Sequence, residues 1–404
     1  MINKNSLFKL TGKVQHYQWG GSSFLPDLLN IPNIEGNPFA EYWLGAHDNH
    51  PAAIEGAEPR FLNEYVHENT YVLGQKTAAQ FGRLPYLLKV LDVKDMLSIQ
   101  VHPGKASAVM EFDKENKAGI SIADAKRNYK DDNHKPELML ALSDFWLLHG
   151  FKTPEKLTET INAVPAFNFM LQLFEEGGYK KLYGTLMEMD QQKVNDILAP
   201  LLKIIIPRYH ANELQKSDAN FWAARAALTF DRKGITDRGI FSVYLLNLVN
   251  LKLQEAIFQD AGVLHAYLEG QNMEIMANSD NVLRGGLTPK HIDVKELMKH
   301  INFTATIPHI IKGTNVSGVE EVYLSPARDF QLSKFSLDVG QSSGIISDST
   351  EIFFLLNGLI EMTESNNEHV ALAKGEAAVA FAGSSINILC KESAVLFRAA
   401  VPQQ

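Results

Sequence analysis

Residues that could bind a metal ion and an anionic substrate are concentrated in three short segments of this sequence. The longest, residues 265–290, contains His265 and Arg284 together with several carboxylates and a lysine among small and apolar residues. Two earlier segments, 98–103 and 129–137, carry further histidine, lysine and carboxylate side chains. Metal-ligand types beside cationic groups are what a polar, anionic substrate requires, so we predict one site assembled from distant parts of the chain.

Four side chains from these segments have the chemistry of a zinc site. Gln100 and His102 are two residues apart, so on a strand both point to one face. Glu137 opens another strand-like run, and His265 follows a turn at Gly262. Two imidazoles, a carboxylate and an amide oxygen suit zinc with an open position, although iron or manganese accepts the same donors. A single histidine is more often a packed or solvated residue, so the prediction depends on their shared position at strand ends.

Three cationic residues favour an anionic ligand. Arg284 offers a forked set of donors suited to a phosphate or an enediolate, and Gly285 and Gly286 allow close backbone approach. Lys135 lies two residues from Glu137, so on an extended chain it faces the same way. A salt-bridged arginine and solvated lysines are the ordinary alternatives, most strongly for Lys290.

Composition excludes several classes of function. The 404 residues carry a net charge of −9, which argues against nucleic-acid binding and against attachment to anionic lipid. The chain has one cysteine, so it has no intrachain disulfide and a cytoplasmic location is expected. We find no signal peptide, and no apolar run reaches the ~18–20 residues of a membrane span.

The pattern along the chain changes twice. Short extended runs dominate residues 1–150. A helical insertion is predicted over about 153–230, with Thr153 as its N-cap, and strands are predicted again from Ile240 onward. The predicted strands are 86–92, 97–102, 137–142, 251–258, 331–337, 352–360, 377–381 and 394–401, and the predicted helices are 167–174, 191–206 and 211–228. Turns at Gly340, Asn357-Gly358 and Gly383 separate the last strands, a pattern typical of an all-β sandwich or barrel.

Residues 255–262 resemble residues 376–383 in spacing, and both segments end in glycine. Three residues after that glycine the first copy has His265 and the second has Ile386. Chance similarity between two strand–turn units is one interpretation. The other is a pair of related β-barrels, of which only the first has kept a metal.

Residues 129–137 reproduce the pattern Y-x-D-x-N-H-K-P-E, and residues 265–290 reproduce a second, longer signature. Both patterns closely resemble the type I mannose-6-phosphate isomerases, zinc enzymes of the cupin superfamily. Residues 17–20, 40–45 and 98–103 match further blocks, and the resemblance spans roughly residues 10–320. The long signature departs at one point, because the family usually has Arg-Ala-Gly where this chain has Arg284-Gly-Gly, and the 40–45 block varies at Tyr42 and Leu44.

The resemblance implies a site and a fold. It places one zinc ion per chain on Gln100, His102, Glu137 and His265, the active-site arginine at Arg284, and the signature lysines at Lys135 and Lys290. It implies a mainly β fold with a helical insertion: a cupin-like, jelly-roll catalytic barrel from residues 1–151 and 236–312, an all-α domain at 152–235, and a C-terminal cupin-like barrel at 313–404 without metal. A cytoplasmic monomer or weak homo-oligomer is expected.

The implied reaction interconverts mannose 6-phosphate and fructose 6-phosphate, moving a proton between C1 and C2 through an enediol(ate) with zinc assistance. The base is left open between Glu274, Asp280 and a metal-activated water. Candidate substrate-binding residues besides the lysines are Trp19, Glu41, Ser98 and Tyr267. Trp19 is more often a core residue. Glu41 and Trp43 are expected to divide between the pocket and the core.

Three other functions stay open at this point. A cupin-type iron or manganese oxygenase would use similar ligands but tolerate an apolar pocket, which the cationic residues oppose. A non-catalytic protein that binds sugar phosphates would keep the ligands and lose turnover. A regulatory domain with an inert metal site predicts that metal removal lowers stability without any activity to lose.

Overall fold

The computed structural model describes residues 6–56, 60–232 and 234–402. In these ranges the fold is mainly β, with two antiparallel sheets and helices packed around them. The strands are β1 Leu7–Thr11, β2 Lys13–Gln15, β3 Glu41–Gly45, β4 Ala53–Ile54, β5 Arg60–Phe61, β6 Tyr86–Val93, β7 Ile99–Val101, β8 Glu137–Ala141, β9 Phe145–Phe151, β10 Leu246–Leu251, β11 Ala256–Gln259, β12 His265–Ala277, β13 Leu283–Gly286, β14 Thr314–Asn315, β15 Glu320–Tyr323, β16 Gln331–Leu337, β17 Ser342–Ile346, β18 Glu351–Glu364, β19 His369–Ala373, β20 Ala377–Ala380 and β21 Ser385–Ala400.

The helices lie mostly in the middle of the chain. They are α1 Phe24–Leu29, α2 Leu62–Glu68, α3 Gln75–Phe81, α4 Lys105–Lys117, α5 Pro154–Asn162, α6 Phe169–Glu188, α7 Gln191–His210, α8 Ala219–Phe230, α9 Gly239–Leu245 and α10 Val294–His300, with 3-10 turns at Thr70–Leu73 and Pro165–Phe167. Across the described ranges, none of them combines the length and the apolar character that a membrane span needs.

The first sheet, called sheet 1, contains β2, β3 and β6 to β13. Its longest strand, β12, pairs with β6, β7, β8 and β9. Most β12 side chains are buried, which is the pattern of a strand covered on both faces. Because β12 begins at His265 and borders four other strands, residues from distant segments meet beside it.

The second sheet, called sheet 2, contains the C-terminal strands β14 to β21 and also β1, β4 and β5. Leu7 to Leu10 of β1 pair in register with Ala380 to Ala377 of β20. Cutting the chain at residue 313, the expected start of the C-terminal barrel, therefore does not separate the two sheets, because sheet 2 also contains strands from the N-terminal part. The two sheets share one apolar core, to which both contribute buried side chains, among them Tyr86, Leu138 and Ile275 from sheet 1 and Leu332, Phe354 and Phe397 from sheet 2.

Helices α5 to α9 pack against sheet 1 and share a core with it. That core joins Trp222, Leu198 and Phe167 from the helical part to Val101 and Leu148 from the strands. The predicted start of α5 is confirmed, since the Thr153 side chain accepts a hydrogen bond from the amide of Lys156 at 3.4 Å.

Several predicted elements differ from the structure. Helix α8 begins at Ala219 and not at Ala211, because the preceding segment forms turns and Asp218 supplies the N-cap. Residues from Ile240 to Leu245 are helical, and strand begins at Leu246. The run 251–258 is the end of β10 and the start of β11, separated by a turn.

The predicted turn at Asn357-Gly358 is wrong. Both residues lie inside β18, where the register with β21 shifts on either side of Asn357. Gly358 has φ of +90°, and a Cβ there would lie 2.4 Å from the carbonyl oxygen of Ser393. The glycine signal is real, but it marks a β-bulge instead of a chain reversal.

The two similar segments adopt the same local structure. Residues 256–259 form β11 and residues 377–380 form β20, and each strand is followed by a glycine with positive φ, +82° at Gly262 and +91° at Gly383. In the second copy Ile386 is buried in the apolar core of sheet 2.

Candidate metal centre and active site

The backbone of sheet 1 aligns three of the predicted site residues in one row. Gln100 of β7 is the register partner of His265 on one side and of Arg284 on the other. Directly opposed residues in an antiparallel pair carry their side chains on the same face. Gln100 therefore points to the face that bears His265.

His102, Glu137 and His265 form a compact buried cluster. Glu137 Oε1 is 3.3 Å from His102 Nε2, and Glu137 Oε2 is 3.3 Å from His265 Nε2. The ligand atoms of the three side chains lie within 4.8 Å of one another, the one such group among the described histidine, cysteine and acidic residues. Neither Nε2 atom nor Glu137 Oε2 has a well-aligned hydrogen bond. Buried polar atoms without partners need another ligand, and a metal ion between them meets that need.

A hydrogen bond from Nδ1, the ring nitrogen that faces away from the cluster, fixes the tautomer of each imidazole. His102 Nδ1 donates to the carbonyl oxygen of Asn281 at 2.7 Å, and His265 Nδ1 donates to that of Val263 at 2.9 Å. Each ring consequently presents the lone pair of Nε2 to the cluster. Histidine ligands in metal sites are usually oriented in this way.

The protonation states also suit a cation. Burial lowers the pKa of His102 to about 4, so this ring is neutral near pH 7. Burial opposes ionisation of Glu137, but the Lys135 ammonium and the imidazoles hold its pKa well below the usual range. Lys135 Nζ lies 3.0 Å from Glu137 Oε1, which places the lysine at the cluster, as predicted.

Glu274 and Tyr267 meet inside sheet 1. The Tyr267 hydroxyl donates to Glu274 Oε1 at 2.8 Å, and Glu274 is almost fully buried. Burial and the charge of Glu137 raise the pKa of Glu274. A carboxyl group with a raised pKa beside ligand-type residues is suited to proton transfer.

Lys89 is a site residue that the sequence reasoning missed. Its Nζ lies 3.2 Å from Glu274 Oε2 and 3.6 Å from Glu41 Oε2, and it sits over the ring of Trp43. Burial disfavours the charged form, but the two carboxylates outweigh it and raise the pKa of Lys89. A lysine within the apolar run 86–93 was the available signal, because a buried charge requires a partner.

The expected division of Glu41 and Trp43 between pocket and core is wrong. The Trp43 indole Nε1 donates to Glu41 Oε2, so the two side chains share one face of β3. Residues i and i+2 of a strand point to the same side, and the prediction overlooked this rule.

Asp280 is paired with His47. After Lys89, His47 is the second site residue that the sequence analysis did not identify. His47 Nε2 lies 3.2 Å from both carboxylate oxygens of Asp280. The amide of Asn49 donates to His47 Nδ1 at 3.2 Å, so the ring proton is on Nε2 and donates to Asp280. Burial raises the pKa of Asp280, but the hydrogen bond from His47 and nearby cations outweigh it and leave it lowered. Asp280 is therefore an ionised carboxylate.

The remaining predicted residues differ in their exposure and contacts. Arg284 is partly buried and Lys290 is exposed; burial and the Arg284 charge lower the pKa of Lys290, which places the two cations near each other. Ser98 is partly buried two residues before Gln100. Trp19 stacks on Tyr17 with ring centroids 5.8 Å apart and packs against the apolar core inside sheet 1.

A cavity of about 500 Å³ lies between β11, residues 307–311 and the loop 324–326. His149 lines it and donates from Nδ1 to Gln259 Oε1 at 2.8 Å. His149 is the register partner of His265 on β9, so this hydrogen-bonded pair borders the metal cluster.

The chain is similar to known proteins along its length. Residues 7–154 match the family model for the catalytic domain of type I phosphomannose isomerase. It is 35% identical to mannose-6-phosphate isomerase from Escherichia coli over 386 residues, covering 93% of this chain and 95% of that one. The human mannose-6-phosphate isomerase is 30% identical, with 97% of this chain and 98% of that protein covered.

Solved structures agree with the sequence matches. The crystal structure of mannose 6-phosphate isomerase from Salmonella typhimurium bound to fructose 6-phosphate and zinc has a TM-score of 0.88 and 33% identity, covering 99% of this chain and 100% of that one. A crystal structure of zinc-bound, holo mannose 6-phosphate isomerase has a TM-score of 0.87 and 33% identity, covering 99% of this chain and 100% of that one. The chain therefore belongs to the type I mannose-6-phosphate isomerase family.

Proposed function

We propose that this protein is a zinc-dependent isomerase that interconverts mannose 6-phosphate and fructose 6-phosphate. The observation that carries the proposal is the buried cluster of His102, Glu137 and His265, with the carboxyl group of Glu274 close enough to Glu137 for their charges to interact. The Salmonella structure with fructose 6-phosphate and zinc supports the same substrate and metal here.

The residues present fit one zinc ion per chain. His102 and His265 offer imidazole nitrogens, Glu137 a carboxylate, and Gln100 an amide oxygen on the same face, which leaves a further position open. When bound, zinc would polarise the substrate oxygens and stabilise negative charge that develops on them.

We assign the transfer of the proton between C1 and C2 to Glu274. Its raised pKa brings its basicity closer to neutral pH, where a base can both accept and return a proton. Tyr267 and Lys89 hold the carboxyl group in place from two sides. Asp280 is the second candidate, but its lowered pKa makes it the weaker base.

Cationic side chains would bind the anionic parts of the substrate. Arg284 stays charged and lies in register with Gln100, so its guanidinium is available to an enediolate or to the phosphate. Lys290 at the exposed rim suits the phosphate group, and Lys135 suits an oxygen near the cluster. Trp19, Glu41, Ser98 and Tyr267 are proposed to line the pocket, with Glu41 acting through Lys89.

We also propose the finer architecture that the family resemblance implies. Sheet 1 would form the catalytic cupin-like barrel of residues 1–151 and 236–312, and sheet 2 the second, metal-free barrel at 313–404, with β1, β4 and β5 contributed from the N-terminal part. The helices of residues 152–235 would be the all-α domain. A cytoplasmic monomer or weak homo-oligomer is part of the same proposal.

Two activity assays and a measurement of mannose 6-phosphate binding test the function. Purified protein loaded with zinc is incubated with mannose 6-phosphate, and fructose 6-phosphate is measured; the same preparation is assayed for oxygen consumption after loading with iron or manganese. Isomerase turnover without oxygen consumption supports the proposal. Oxygen consumption would indicate the oxygenase alternative, and binding of mannose 6-phosphate without turnover would indicate a non-catalytic binding protein.

A further inference from the structure

We propose that Asp329, in the loop between β15 and β16 of sheet 2, is a positioning residue for the active site. It holds His134 and thereby fixes the loop that carries Lys135 and leads into β8 at Glu137. The inference rests on the proposed function for its kinetic consequence, and it gives the metal-free part of the fold a role in the reaction.

The contact itself is specific. His134 Nε2 lies 3.1 Å from Asp329 Oδ1 and 3.0 Å from Oδ2, so one ring N–H is directed between both carboxylate oxygens. The Asp329 side chain is 6% exposed and the His134 side chain 29%. An imidazole N–H donates to a carboxylate in either charge state of the ring, and hydrogen bonds to ionised groups are the stronger ones.

Asp329 is anchored on its own side. It lies in the loop between β15 and β16, which closes where Tyr323 pairs with Leu332. The next residue, Phe330, is 1% exposed and packs in the core shared by the two sheets. Because its neighbour is fixed in the core, the Asp329 carboxylate has little freedom to move, and the hydrogen bond restricts the position of His134.

His134, the partner of Asp329 in this contact, is next in sequence to a residue of the site. Lys135 follows His134, and its Nζ is 3.0 Å from Glu137 Oε1. The neighbouring Asn133 is held by the segment between β12 and β13, because Asn281 Nδ2 donates to its carbonyl oxygen at 2.9 Å. The loop is thus held on one side by the 278–281 turn and on the other by Asp329. Loss of one support allows the residues between them to shift.

The test compares Asp329→Ala, His134→Gln and the double variant with Glu361→Gln as control. Glu361 pairs with Lys391 and His369, and all three residues lie in sheet 2. Three quantities are measured on the full chain: kcat/KM with mannose 6-phosphate, zinc affinity by chelator competition, and amide hydrogen exchange of a peptide covering 130–137.

We expect kcat/KM and zinc affinity to fall about tenfold in Asp329→Ala and in His134→Gln, the size typical for partners that orient metal ligands. The double variant should lose no more than either single variant, because both remove one contact. Exchange in the 130–137 peptide should accelerate in these variants and not in Glu361→Gln.

Folded variants whose zinc affinity and exchange stay within twofold of wild type would overturn the inference, as would losses that multiply in the double variant. If the wild type binds zinc but shows no turnover, the proposed function fails. Zinc affinity and exchange then still decide the positioning role. If the wild type binds no zinc either, exchange alone decides it.

Discussion

The Glu274 carboxyl group is buried between the Tyr267 hydroxyl and the Lys89 ammonium, and its pKa is raised. We predict that Glu274→Gln, which keeps the shape and removes the base, lowers kcat by about 10²-fold or more, the range for loss of a general base. Steady-state turnover of mannose 6-phosphate measures this.

Glu269 provides a matched control on the same strand. Its carboxylate pairs with Lys216 and Arg225 from the helical part, away from Glu274. Glu269→Gln should change kcat by no more than about threefold, although it loses ion pairs that are worth roughly 1 kcal/mol or less each when partly exposed. Equal losses in both variants would show that a general disturbance of β12, and not a base, explains the effect.

The buried ring of His149 predicts a pH dependence of stability. Burial lowers its folded-state pKa to about 4 from 6.5, so the folded form excludes a proton that the unfolded form binds. The neutral His149 ring therefore leaves the free energy of unfolding at its full value above pH 6.5. That free energy falls by up to about 3 kcal/mol as the pH drops toward 4.

Urea unfolding of metal-free protein between pH 4.5 and 7.5 tests this sign. The free energy of unfolding should fall toward acid, and His149→Gln should reduce the slope by up to one proton. An identical slope in wild type and variant would contradict a buried neutral imidazole at this position.

At the scale of single residues, the sequence was sufficient where chemistry and spacing coincide. His102, Glu137 and His265 were identified by type and by their strand-end positions, and the structure brings them together. His47 and Lys89 were missed because their partners, Asp280 and Glu274, are more than 180 residues away in the sequence. No local pattern encodes such a pairing.

Helix α6 and strand β13 meet at the one family departure in the long signature. A Cβ on Gly285 would lie 2.6 Å from the Tyr183 hydroxyl, which is buried without a well-aligned hydrogen bond. The hydroxyl of α6 thus occupies the space of the alanine methyl that the family usually has. We predict that Gly285→Ala lowers the free energy of unfolding by about 1–3 kcal/mol through overpacking.

Removal of that hydroxyl should restore the fit. Tyr183→Phe alone should be nearly neutral, since it removes an unpaired polar group. The pair Gly285→Ala with Tyr183→Phe should regain most of the lost stability. Urea unfolding checks this, and additive losses in the double variant would rule out the proposed contact.

Elements were predictable where periodicity was unambiguous and local. The strand at 331–337 and the start of α5 agree with the structure because alternation and a Thr-Pro cap determine them. The bulge at Gly358 and the helix from Gly239 to Leu245 did not follow from local patterns. Both depend on neighbours supplied by the rest of the fold, Ser393 in the first case and the packed helical core in the second.

For the whole molecule, metal binding and folding should be linked. A metal ion held by His102, Glu137 and His265 joins the segment that follows β7 to β8 and β12, and the unfolded chain cannot present this group. Zinc at 100 times its dissociation constant should raise the free energy of unfolding by about 2.7 kcal/mol. Thermal unfolding before and after chelation measures this, and a zinc-independent midpoint would argue against the cluster as a metal site.

The arrangement of the two sheets could not be predicted from the sequence. Strand β1 pairs with β20, almost the full chain length away, and composition carries no information about such a pairing. The sequence did predict that a mainly β chain with a helical middle would bring the three chemical segments to one place.

The most direct test of the central claim is a zinc titration of metal-free protein, followed by the rate of fructose 6-phosphate formation from mannose 6-phosphate. The account predicts no turnover without metal, a linear rise with added zinc, a break at one equivalent per chain, and no rise in His265→Ala. Full turnover in the metal-free protein, or none in folded protein saturated with zinc, would contradict it.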